Sequence, residues 1–352
     1  MADHWLDPVN KLNDSQVLLA ARTGNVDQFE KAISEIGSDF ASAGATLSKH
    51  SNRLGKTVLH EAAQNGRARI VEICLSQLGM DPDGIKQGDW TPLMLACTKL
   101  NNNTIVQQLI DSGANLNLKN KDGWTAFHVA CREGDHHALE QMLAKQATIW
   151  NSTSKNGRTP LHTGAMFGRL AAVQLLLSKC QFPVDQGDSC GSTPLMDALR
   201  CGHIDVAKIL IDLGKADVFA RDSLGRSPLH LAAQAGQTTS LDFLINVCGV
   251  SVNLLTEGTR QSAVHHAAKE GHVEALRQLC NLGAGCQSPD SRGRTPLHLA
   301  AIAQQADSVQ FLLNECSVVD SIDLAGNLAA SFATKCPVIS AFSSSSTIKQ
   351  SI

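Results

Sequence analysis

The string Gly-x-Thr-Pro-Leu-His returns along this chain, whole or degraded, at a nearly constant interval. Its Thr position falls at Thr57, Thr91, Thr125, Thr159, Thr193, Ser227, Ser262 and Thr295, with spacings of 34, 34, 34, 34, 34, 35 and 33. Such a period leaves little freedom of architecture. Each unit is one supersecondary element that cannot bury its apolar face alone, and only stacked neighbours build a continuous core. A length of 352 residues, which would otherwise suggest two or three domains, therefore reads as one solenoid that grows by adding units.

The fourth unit shows how the residues specify the element. Gly123 permits the positive φ of a tight turn. Thr125 is placed to cap a helix with its hydroxyl. Pro92, Pro160, Pro194, Pro228 and Pro296 follow the equivalent cap, at the first helical position, where a missing N–H is harmless. Gly134 breaks the chain, and Ala138, Leu139, Met142 and Leu143 supply the apolar stripe of a second helix. A turn, two antiparallel helices and a Thr-Pro-Leu-His motif at a period near 33 resemble the ankyrin repeat. The resemblance implies an all-α solenoid of about ten helix-turn-helix units, caps included.

Boundaries follow from where the pattern decays. Residues 1–12 read as a tail, 13–34 as a degenerate N-terminal cap and 36–52, rich in Ser, Ala and Gly, as a longer surface loop. Eight fuller repeats span 52–322, 323–342 form a C-terminal cap, and the polar 343–352 read as a flexible tail.

Composition narrows the function. Net charge is -3, which argues against a general phosphate-binding stripe, so direct nucleic-acid binding is not expected. Apolar runs fall short of a membrane span. The opening Met-Ala-Asp-His-Trp lacks the basic and apolar regions of a secretion signal. The eleven Cys include no Cys-x-x-Cys pair, and Cys97 and Cys131 sit 34 apart at a core helix position. Reduced thiols and no metal site are the expectation.

Thirteen His invite a metal reading until they are placed on the period. His60, His128, His162, His230, His265 and His298 all hold the fourth motif position, which Met94 and Met196 take elsewhere. A ligand set would not accept Met so freely, so these rings are expected to bond neighbouring turns. Nucleotide-binding glycine loops and nucleophile-elbow strings are missing. The chain is expected to be a monomeric binding protein, without cofactor and not an enzyme.

The informative positions are those the fold leaves free: the turn tips and the end of each first helix, expected to line the concave face. Repeat three offers Trp90 and Lys99, repeat four Lys121, Trp124 and Arg132, and repeat five Lys155, Arg158, Met166 and Phe167. Trp, Met and Arg are enriched at interface cores. Two of the four Trp occupy equivalent free positions in adjacent repeats, whereas later repeats have Ser192, Arg226, Gln261 and Arg294 there. The partner-binding patch is therefore expected in the N-terminal half.

Five strings fix residues that the fold leaves open: Gly-Asp-Trp-Thr-Pro-Leu-Met-Leu-Ala-Cys-Thr (88–98), Leu-Lys-Asn-Lys-Asp-Gly-Trp (118–124), Arg-Glu-Gly-Asp (132–135), Met-Asp-Ala-Leu-Arg-Cys-Gly-His-Ile-Asp-Val-Ala (196–207) and His-His-Ala-Ala-Lys-Glu-Gly-His (265–272). In these the chain resembles the ankyrin-repeat co-regulators of alanyl-tRNA synthetase. The resemblance implies docking on the catalytic domain of alanyl-tRNA synthetase, in cytoplasm and nucleus. It also implies capture of wrongly activated serine on surface lysines, with Lys121 as acceptor. Gln87 and Asn151 stand at two other positions where the family has an acceptor lysine, with Lys86 and Lys155 close by in sequence.

Overall fold

The computed structural model describes residues 8–37 and 39–344, with side chains from Gln16 onward. Among the described residues the chain is all helical and forms an ankyrin-repeat solenoid, with only isolated bridges closing three of the turns. After an N-terminal pair, α1 (Pro8–Thr23) and α2 (Val26–Ile36), comes α3 (Phe40–Leu47). The pairs α4/α5 (Val58–Gln64, Ala68–Glu72), α6/α7 (Pro92–Ala96, Asn103–Asp111), α8/α9 (Ala126–Glu133, His136–Lys145) and α10/α11 (Pro160–Met166, Leu170–Lys179) follow. Beyond them lie α12/α13 (Pro194–Arg200, Ile204–Asp212), α14/α15 (Pro228–Gln234, Thr238–Asp242), α16/α17 (Ala263–Glu270, Val273–Asn281) and α18/α19 (Pro296–Ile302, Ala306–Asn314), with α20 (Cys336–Ser344) last.

The chain divides into two compact units. One comprises residues up to Gly164 together with Ala171–Gln181, and the other Ala165–Leu170 together with Phe182 onward. Within the first, α1, α4, α6 and α8 pack in one row and α5, α7 and α9 in a second. Within the other, α12, α14, α16 and α18 make the first row, and α15, α17, α19 and α20 the second. The core lies between the rows. Phe127, Leu139 and Met142 are fully buried in the first unit, as are Leu195, Leu229, Leu276 and Leu297 in the second. Cys97 and Cys131 are also fully buried, so they serve as small core hydrophobes.

The segment expected as a loop, 36–52, instead carries α3. Asp39 accepts from the Ser42 N–H at 2.7 Å and Ser42 returns the bond, a capping box that starts a helix in a stretch of low-complexity composition. A Cβ on Gly44 would lie 2.0 Å from the Leu78 carbonyl oxygen, so α3 lies flush on the next repeat. The small residues read as loop markers are the ones that permit this close approach. The N-terminal helix also begins earlier than the pattern implied, at Pro8, before the 13–34 cap. Of the expected 343–352 tail, Ser343 and Ser344 close α20 and the remainder lies outside the described residues.

The irregular spacing of 35 between Ser227 and Ser262 is taken up at the turn. Four residues separate the paired ends in other tips, as in Asp222 N–H to Arg226 carbonyl, whereas Thr256 N–H reaches the carbonyl of Gln261, one residue further. The helices keep their register and the solvent-facing tip absorbs the insertion.

Candidate interaction surface

All but one of the described tips are held by one side-chain acceptor. Asn120 Oδ1 accepts from the N–H groups of Asp122 and Trp124, both at 2.9 Å. Asn52, Asp188, Asp222 and Asp290 bind their own tips in the same two-pronged way. Ser154 and Thr256 make a single bond of this kind. Successive tips are then chained through the backbone. In the first unit the Gln87 N–H donates to Leu54, Lys121 to Gly88 at 2.9 Å and Lys155 to Asp122 at 3.0 Å. In the second unit Ser223 donates to Cys190, Glu257 to Gly225 and Leu324 to Arg292.

The motif histidines lock this arrangement. His128 Nδ1 accepts from the Thr125 N–H at 3.3 Å, which leaves Nε2–H to donate to the Arg158 carbonyl at 3.2 Å. His60, His230, His265 and His298 repeat the pattern with the carbonyls of Trp90, Gln261, Arg294 and Asn327. Burial pushes His60, His128 and His230 down to about 4, so they are neutral and in one tautomer near pH 7. Where Met196 replaces His, its sulfur accepts the Thr193 N–H at 3.4 Å. These rings are thus structural bridges between turns, as their repeat position implied.

One tip in the first unit breaks the rule. Positions 52, 86, 120, 154, 188, 222, 256 and 290 are 34 apart and hold side-chain acceptors except at 86, which is Lys. Lys86 cannot accept a hydrogen bond. Its tip instead places Asp89 at φ 60, and the Lys86 ammonium lies 5.4 Å over the ring of Trp90. Burial, and secondarily the charge of Lys56, lowers the Lys86 amine below the ordinary lysine range. Proteins depart from local structural preference chiefly at functional sites. The departure is legible in the 34-residue register, although a search for free aromatics passes over it.

Trp90 and Trp124 are both half-buried, each beneath a cation. Arg132 stacks 5.7 Å from the Trp124 ring and pairs with Glu133 at 2.6 Å. Trp124 also stacks on His128 at 6.3 Å, which fixes its angle. The backbone bond from Lys121 to Gly88 ties the two tryptophan-bearing tips together. Lys99, Lys121 and Lys155 are exposed. Among the described residues, no hydrogen bond or ion pair engages the Lys121 or Lys155 ammonium, whereas Lys119 is tied to the Thr153 carbonyl at 2.7 Å. Arg158 is half-buried in the tip after Trp124. Met166 and Phe167, half-buried and exposed respectively, stand in the second unit.

A family model described as Ankyrin repeats (3 copies) matches residues 17–120, 98–188, 179–256 and 229–322. The chain belongs to the ankyrin-repeat family. Ankyrin repeats indicate a protein–protein interaction scaffold, and the tip surface fits that role. The chain is 38% identical to the NF-kappa-B inhibitor cactus of Drosophila melanogaster over 76 residues, 21% of this chain and 15% of that protein. It is 41% identical to the neurogenic locus notch homolog protein 4 of Homo sapiens over 58 residues, 16% of this chain and 3% of that one. Thus the chain spans only a small part of the length of these curated relatives. No helix among the described residues is long and apolar enough to cross a membrane.

Proposed function

We propose that the tips of the first unit bind a protein partner through Trp90 and Trp124, with Lys99, Lys121, Arg132 and Arg158 framing them. The observation that carries this is the pair of half-buried tryptophans on hydrogen-bonded neighbouring tips, each beneath a cation. Rigid aromatic anchors with cationic neighbours have the composition of interface hot spots.

The partner we propose is the catalytic domain of alanyl-tRNA synthetase, met in cytoplasm and nucleus, and the support is the resemblance carried by the five strings above. On this reading Lys121, Lys86 and Lys155 take serine from the misactivated adenylate. The lysine Nζ attacks the carbonyl carbon, an amide forms, AMP departs with the electron pair of the broken anhydride bond, and a proton passes to solvent. A lysine of ordinary pKa is only about 0.04% unprotonated at pH 7. Proximity must supply the rate, and oriented partners reach effective molarities of ~10⁵ M. The lowered basicity of Lys86 adds to its unprotonated fraction. Capture consumes the lysine, so the chain acts stoichiometrically and not as an enzyme.

Two measurements test this. The purified catalytic domain is bound to the chain and to a Trp90→Ala/Trp124→Ala variant; binding by the wild type that is lost in the variant is expected. Incubation with synthetase, ATP and serine is then followed by peptide mass spectrometry at Lys86, Lys121 and Lys155. Binding without a serine adduct would leave a plain scaffold, and no binding by the wild type would remove the synthetase as partner.

A further inference from the structure

The second unit brings together three cysteines that no spacing motif relates. Cys280 lies in the last turn of α17, Cys286 in the loop that follows, and Cys316 just beyond α19 one repeat later. Their sulfurs all lie within 4.8 Å of one another, and each residue is half-buried. Cys280 and Cys286 are joined as a disulfide across a Cα–Cα distance of 6.6 Å. The sequence reading of uniformly reduced thiols is corrected here. The chain turns back after α17 and returns position 286 to the helix end, a closure that a search for Cys-x-x-Cys cannot register. Cys316 Sγ stands 3.4 Å from Cys280 Sγ.

We propose that the reduced form of Cys280, Cys286 and Cys316 is a three-thiolate site for a d¹⁰ cation of the zinc class. The geometry carries this. A cation holding sulfurs at about 2.3 Å in tetrahedral directions sets them about 3.8 Å apart. The sulfurs lie within 4.8 Å of one another, with Cys316 Sγ 3.4 Å from Cys280 Sγ, so opening the disulfide brings the three thiols within reach of that spacing. Thiolates favour soft and borderline ions over hard ones. No fourth His, Cys, Asp or Glu joins the cluster among the described residues, which leaves one coordination position to water or to an incoming ligand.

Contacts other than the sulfurs also join these two helix ends. Arg277, on α17, pairs with Glu315 just past α19 through both terminal guanidinium nitrogens. The same guanidinium stacks 5.0 Å from the Phe311 ring. An ion pair and a ring contact therefore join the two helix ends that carry Cys280 and Cys316, independently of the S–S bond. Opening needs a reductant of the dithiol class. It donates two electrons and two protons, the Cys280–Cys286 bond breaks into two thiols, and the reductant closes into its own disulfide. The cation then displaces the thiol protons to solvent.

The test uses the full chain, reduced with a dithiol and freed of it without air, and Cd(II) as the probe. Three results are expected together. Native mass spectrometry gives one Cd(II) per chain, sulfur-to-cadmium charge-transfer absorption rises to an endpoint at one equivalent, and alkylation mapping shows Cys280, Cys286 and Cys316 protected. The exposed Cys190 and Cys336 stay reactive and serve as the internal control. Cys316→Ser, which keeps the residue's size, should weaken binding at least about tenfold, since loss of even a supporting group does as much. Cadmium without protection of these three thiols, or unchanged uptake by Cys316→Ser, overturns the proposal. The mapping is read on the wild-type chain, so a variant that fails to fold does not rescue it.

Discussion

The two units share a backbone plan and differ in what their tips do with it. At the position after the tip glycine or its neighbour, the first unit has Trp90 and Trp124, half-buried beneath cations. The second has Arg226, Gln261 and Arg294 at the equivalent places, and these side chains turn inward. Arg226 pairs with Asp222 at 2.7 Å and donates to Gln234 at 2.8 Å. Gln261 donates to Asp290 at 3.2 Å, and Arg294 lies 3.8 Å from Asp323. One tip position thus serves stability in the second unit and presents an aromatic in the first. Tips with their own acceptor occur in both units, at Asn120 as at Asp222 and Asp290, so the acceptor does not decide this; the difference lies in the side chain that follows it.

The comparison can be broken first through what the units share. His60 and His128 in one unit and His230 in the other are held near 4 against an ordinary 6.5. The unfolded chain binds protons on these rings between those values and the folded chain does not, so stability is full above about pH 6.5 and falls as pH drops toward 4. Each ring contributes on the order of 1–3 kcal/mol. Thermal melts from pH 8 to pH 4 should therefore lose more than any single substitution costs, in both units alike. A melting temperature that stays flat to pH 4.5 would contradict the neutral bridging role.

Next comes the backbone chain. A Cβ on Gly123, at φ +79, would lie 2.4 Å from the Lys155 N, whereas Gly326, at φ +83, has nothing within 4 Å. Gly326→Ala should cost about 1–2 kcal/mol for the left-handed conformation alone. Gly123→Ala should cost about 2–4 kcal/mol, because overpacking adds to it. Equal losses in chemical denaturation would argue that the tips are not bonded in series.

The functional contrast is sharper but smaller. Trp90→Ala and Trp124→Ala should each weaken partner binding by about 2 kcal/mol, or roughly 30-fold in Kd. Arg226→Ala and Arg294→Ala should leave it unchanged and show up only in stability. Isothermal titration of all four variants decides it, and a binding loss in the arginine pair would move the interface to the second unit. The smallest effect is the most specific. Lys86→Asn gives the exceptional tip the acceptor its counterparts have, worth about 0.5–1 kcal/mol, and removes a tryptophan–cation contact of about the same size. Net stability should therefore change little while Trp90 fluorescence shifts.

Much of the fold was readable because the repeat is a local code. Thr125, Gly123 and the motif prolines specify cap, turn and helix start within a few residues, and the His position follows from the same register. The candidate patch was half readable. Trp90 and Trp124 stand out as large residues at free positions, whereas Lys86 reads as one of several lysines on the same turns. Its placement over Trp90 depends on a tip that has lost its acceptor. Met166 and Phe167 share a repeat position with Thr98 and Lys99, and the structure assigns them to the other unit. Segment 36–52 was misread because composition does not reveal that Gly44 packs on the Leu78 carbonyl.

By itself, then, the sequence determined the unit, its period, its caps and its histidine bridges, since each rests on contacts between residues a few positions apart or one repeat away. Tertiary structure alone decided which side chains meet across those repeats. The Lys86 ammonium over Trp90, the Arg277–Glu315 pin and the convergence of Cys280, Cys286 and Cys316 all depend on how one turn lies against the next. A periodic pattern sets the spacing of such residues, but the direction of each side chain is fixed only when neighbouring repeats close on it.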